Sequence, residues 1–114
     1  MKLHSAVFYS RDLAPLKDFY IGFLGAELDY EAENKFISFV FENCFKLGIK
    51  VGDKPREIPG HQTIFVEVTN IDEWYKKSVD TSKNIYKKLV TQAWGKSFSI
   101  LDPDGNKVEF LEES

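Results

Sequence analysis

The chain has 114 residues, 43% of them hydrophobic, which suits one domain with enough apolar material for a core and little to spare. Its formal charge is -3 and its 15 Lys/Arg are scattered, so it offers no basic surface for a phosphate backbone and nucleic acid is not an expected partner. No apolar run is long enough to cross a membrane, and the single cysteine, Cys44, excludes an internal disulfide framework.

Met1 to Ser5 lead into a strand over about Lys2 to Ser10 rather than into a signal peptide, and a cytoplasmic location is expected. Asp12 reads as a helix N-cap with Pro15 in the first turn, and Leu13, Leu16, Phe19, Tyr20, Phe23 and Leu24 follow at helical spacing until Gly25 ends the run. Three strands are expected next, Glu27 to Glu31, Phe36 to Phe41 and Phe45 to Val51, with Asn34 and Glu42-Asn43 as turns. Cys44, at the start of the third, reads as a small buried residue in a reducing compartment.

Gly52 to Gly60 carries two prolines and two glycines and reads as a linker. The pattern then repeats. His61 to Val68 form a strand, Asn70 or Asp72 caps a helix carrying Ile71, Trp74, Tyr75 and Val79, and Lys87 to Gln92, Ser97 to Leu101 and Lys107 to Glu112 supply three more strands. Asp102-Pro103-Asp104-Gly105-Asn106 is the turn before the last of these, and alternation places Glu109 on the opposite face from Val108 and Phe110. The fold class is therefore α+β, with βαβββ modules over about residues 1–55 and 60–114. The modules are expected to pair into one curved, barrel-like mixed sheet whose central cleft would hold a small ligand.

Ser10-Arg11-Asp12-Leu13 with Asp18-Phe19-Tyr20 and Phe23-Leu24-Gly25-Ala26-Glu27-Leu28, then Thr63 to Val68 with Ile71-Asp72, then Trp94-Gly95 with Asp102 to Glu109, resemble the vicinal oxygen chelate superfamily. That superfamily includes glyoxalase I, extradiol dioxygenases, fosfomycin-resistance proteins and bleomycin-resistance proteins. The resemblance implies a divalent metal held by His, Gln or Glu from four strands, at positions that map here to Ser5, Lys46, Thr63 and Glu109. Only Glu109 keeps the family's ligand type, and an ammonium at Lys46 would repel a cation. Lys46 and Glu109 are expected to form an ion pair in the metal's place, or else to reach solvent separately. A shifted metal set of His4, His61 and Glu109, for Zn, Ni, Mn or Fe, is the alternative and requires two departures from strand register.

The resemblance without the metal implies a bleomycin-resistance-like binding protein with no cofactor, holding a partly aromatic small molecule. Its expected ligand-binding residues are Ser5, Val7, Tyr9, Lys46, Thr63, Phe65, Trp94 and Glu109. Competing readings are a metal-dependent glyoxalase, dioxygenase or fosfomycin thiol transferase, a metal-free lyase or isomerase with Glu109 as general base, and a structural dimer. Small members of the family often assemble as dimers, so a homodimer is expected.

Overall fold

Four strands and one helical stretch build the first half of the chain in the computed structural model, which describes every residue from Met1 to Ser114. Strand β1 (Ser5–Ser10) lies parallel to β4 (Lys46–Val51), and β3 (Phe36–Val40) and β2 (Glu27–Ala32) continue the sheet antiparallel in the order β1-β4-β3-β2. Alternation sends Phe8, Ile37, Phe39, Leu47 and Ile49 to one face, all buried. There they share the core with Leu16, Phe19, Tyr20 and Phe23, and Tyr20 stacks on Phe39 with ring centroids 5.2 Å apart. Each such side chain contributes about 1.5–3 kcal/mol by leaving water.

The helical spacing from Leu13 to Leu24 is read out as two kinds of turn. Helix α1 (Ala14–Lys17) runs directly into a π-helical segment, Asp18–Phe23, in which the Leu24 N–H reaches back five residues to the Phe19 carbonyl at 3.0 Å. The wider turn keeps the adjacent rings of Phe19 and Tyr20, 4.9 Å apart, both buried. Asp12 accepts the Ala14 N–H at 3.1 Å, Pro15 stands in the first turn, and Gly25 at φ 82 turns the chain out of the helical stretch.

Cys44 departs from its expected burial. It is exposed, at φ 65 in the turn before β4, because the Cys44 N–H closes a tight turn on the Phe41 carbonyl at 2.9 Å. The polar stretch from Gly52 is folded back onto its own module: the Gly52 N–H donates to the Ser10 carbonyl at 3.1 Å, and Glu57 receives Lys50 at 2.8 Å.

The second half repeats the plan with β5 (Thr63–Glu67), α2 (Ile71–Asp80), β6 (Asn84–Gln92), β7 (Gly95–Leu101) and β8 (Lys107–Glu113), in the sheet order β5-β8-β7-β6. Ile71, Phe98, Ile100, Val108 and Phe110 form its core; Phe98 and Phe110 stack at 4.6 Å, with Trp74 and Tyr75 of α2 at 5.3 and 5.1 Å from them. Asn70 occupies the N-cap position of α2, yet its side chain turns to Glu73, and the carboxylate of Glu112 on β8 takes the Ile71 N–H at 3.0 Å instead.

The chain divides into two compact units, Met1–Gly60 and His61–Ser114. Ladder hydrogen bonds run within each unit, giving two four-stranded mixed sheets and no closed barrel. No helix is long and apolar enough to cross a membrane.

Candidate functional site

Each sheet has one face against its helical stretch and one turned away from it, and the expected site residues on strands fall on the helix-free faces. In module one, Ser5, Val7 and Tyr9 of β1 stand opposite Lys46, Gly48 and Lys50 of β4. In module two, Thr63 and Phe65 of β5 stand opposite Lys107 and Glu109 of β8. With Ser5 and Thr63 as matched starting points, the ladders make Lys107 the counterpart of Lys46, and Gly48 the counterpart of Glu109. The face beside Lys46 is not open space: Phe36 reaches across so that a Cβ on Gly48 would lie 2.7 Å from its Cζ.

Glu109 lies on a rung that crosses the whole sheet, from Phe65 through Glu109 and Ser99 to Lys87. Its side chain is 14% exposed, with Oε2 2.9 Å from the Lys87 ammonium and Oε1 3.6 Å from that of Lys107. Lys87 also donates to Ser97 Oγ at 2.9 Å, and Lys107 stands over the Tyr86 ring at 5.7 Å. Lys46 has its own in-module partner: Asp29 Oδ1 lies 3.3 Å from its ammonium, and Asp29 Oδ2 accepts from Ser38 Oγ at 2.8 Å. The Ser38 hydrogen bond, followed by Lys46, holds the Asp29 carboxyl below its ordinary value. The two charges expected to pair with each other thus each have a partner of their own.

The proposed walls divide. Val7, Tyr9 and Phe65 are on the helix-free faces, and Phe65 is 65% exposed beside Glu109. Trp94 stands in the turn between β6 and β7, where Gly95 pairs with Glu113, four residues or about 13 Å along β8 from Glu109. Gly95 is required by backbone packing: its φ is 148, and a Cβ there would collide with the Glu112 carbonyl oxygen.

Around Glu109 the donors of its own module suit a divalent cation poorly. Glu109 is already held by two ammonium groups, and its counterpart in module one is a glycine under an aromatic ring. No group of three His, Cys, Asp or Glu side chains comes together to hold a metal. Of the shifted set, His4 is bonded to Ser5 Oγ at 3.1 Å in module one, while His61, at φ 67, precedes the strand and lies about 13 Å along it from Phe65, the rung of Glu109.

Asp29, Lys87, Lys107 and Ser99 carry no site signal in the sequence alone, and Phe36, whose aromatic character suits the core, lies instead against Gly48 on the helix-free face. Asp29 and Tyr86 lie within β-bulges, between Leu28 and Tyr30 in β2 and between Ile85 and Lys87 in β6, where simple alternation no longer assigns a face. Lys87 and Lys107 carry a signal only once the rungs are known.

The family model described as Glyoxalase/Bleomycin resistance protein/Dioxygenase superfamily matches residues 2–110. No curated protein sequence matches the chain. Among solved structures, a superfamily member from Sphaerobacter thermophilus is similar at TM-score 0.84 and 24% identity, over 99% of this chain and 98% of that one. A lactoylglutathione lyase from Agrobacterium tumefaciens is similar at TM-score 0.81 and 20% identity, over 97% and 92%. TioX from Micromonospora sp. ML1 is similar at TM-score 0.79 and 16% identity, over 99% and 100%. At these identities the likeness is one of fold.

Proposed function

We propose that this chain, which belongs to the glyoxalase/bleomycin resistance protein/dioxygenase superfamily, is a metal-independent binding protein of the bleomycin-resistance-like kind that holds a partly aromatic small molecule on the helix-free face of its sheet. The observation that carries the reading is the state of Glu109. A carboxylate gripped by Lys87 and Lys107 is a poor ligand for a divalent cation, which would have to displace one ammonium and tolerate the other nearby. The same residues suit a polar organic group, with Phe65 and Tyr86 exposed beside them as flat contact surfaces. The working form is proposed to be a cytoplasmic homodimer, and the single exposed thiol of Cys44 accords with a reducing compartment.

The test is elemental analysis after incubation with Zn, Ni, Mn and Fe(II) and desalting, together with equilibrium binding of small aromatic probes with and without EDTA. Negligible retained metal and saturable, EDTA-insensitive binding are expected. Near-stoichiometric metal that is lost on Glu109→Gln would overturn the reading in favour of a metal-dependent enzyme.

A further inference from the structure

Ser38 and Ser99 occupy equivalent rungs of their sheets, opposite Gly48 and Glu109 respectively, but only one has its hydroxyl satisfied. Ser38 donates to Asp29, the bulge residue of β2. The corresponding bulge residue of β6 is Tyr86, whose ring lies under the Lys107 ammonium. Ser99 is completely buried and its Oγ has no hydrogen-bond partner. A buried hydroxyl in that condition is uncommon in a native protein and calls for a specific reason.

The neighbours define what would satisfy it. Lys87 and Lys107 bring two ammonium groups to a single carboxylate, Glu109, leaving one positive charge in excess. Ammonium groups only donate, and the Ser99 hydroxyl is free to donate, so an acceptor with one negative charge would complement all three. At the end of the Ser99 rung Phe65 is 65% exposed, and Tyr86, 66% exposed, adjoins Lys107. Both offer apolar area to the remainder of the same molecule.

We propose that Ser99, with Lys87 and Lys107, binds the carboxylate of a small flat aromatic acid whose ring lies against Phe65 or Tyr86. The proposal rests on the ligand-binding reading above and names the ligand class for that site. Entry requires the partly exposed Lys87 side chain to swing from its position between Ser97 and Glu109, which its flexible stem permits.

Isothermal titration of the full chain with benzoate and with its neutral counterpart benzamide tests this, using the wild type, Ser99→Ala and Ser38→Ala. Benzoate is expected to bind at least tenfold more tightly than benzamide, with a preference that shrinks as salt is added. Ser99→Ala should weaken benzoate about tenfold, leave benzamide unchanged and not lower the melting temperature, since it removes an unsatisfied group. Ser38→Ala should lower the melting temperature and keep the preference. Equal affinities for the two probes, or a wild-type preference in Ser99→Ala, would overturn the carboxylate assignment while leaving aromatic binding intact. Binding of neither probe would overturn the assignment as well, and retained metal in the separate elemental analysis would then mark failure of the broader reading.

Discussion

Phe36 leans across its sheet onto Gly48, so that the position equivalent to Glu109 in module one is filled by a neighbour's ring instead of its own side chain. A methyl group at Gly48 must push that ring aside, while one at Gly95 meets rigid backbone at a φ that side chains rarely adopt. Gly48→Ala is expected to cost about 1 kcal/mol and Gly95→Ala about 3 kcal/mol in urea unfolding. Phe36→Leu should recover part of the Gly48 cost in the double mutant but none of the Gly95 cost.

Glu109→Gln leaves Lys87 and Lys107 without their carboxylate on a partly covered surface. A loss of about 1–2 kcal/mol is expected, short of the value for a fully buried pair because Lys87 is 37% exposed. Lys46→Met, which breaks the more exposed pair with Asp29, should cost about 0–1 kcal/mol. Equal losses at the two sites in chemical denaturation would contradict the difference in burial.

Acid should weaken the fold through Glu57. Hydrogen bonds from Lys50 and from the Asp53 backbone N–H hold its carboxyl at about 2, against an ordinary 4.5. A depressed folded-state value means that the stabilisation is present above 4.5 and is lost as pH falls from there towards 2. Melting temperatures measured down through that window should fall for the wild type, and the fall should be shallower in Glu57→Gln, which starts lower at neutral pH.

Cys44 should be modified by a thiol reagent such as DTNB in the folded protein, one equivalent per chain, without denaturant. A thiol that reacts only after unfolding would restore the burial expected from sequence.

The legible parts of this chain are those governed by periodicity. Val108 and Phe110 are buried and Glu109 lies on the other face, as alternation requires, and Gly25 ends the helical stretch. What escaped depends on pairs of strands rather than on one strand. The two bulges that place Asp29 beside Ser38 and Tyr86 beside Lys107 are properties of a ladder, and the equivalence of Gly48 with Glu109 appears only when two registers are compared. Asn70 stands at the N-cap of α2 as expected, but the carboxylate that takes the Ile71 N–H, Glu112, comes from β8 and shows no signal within the helix sequence. Cys44 was misplaced because general burial preference outweighed a local turn whose backbone lies at φ 65.

The π-helical segment makes this chain tolerant of both substitution and shortening at the same point. Nothing lies within 4 Å of where a Cβ on Gly22 would be, so side chains can be added there freely. Removing the residue would let the wide turn tighten into an ordinary one: the bond from the Leu24 N–H to the Phe19 carbonyl would then span four residues, and the positions on either side would keep their faces. The wide turn takes up one extra residue locally and leaves the aromatic rings before and after it directed at the core.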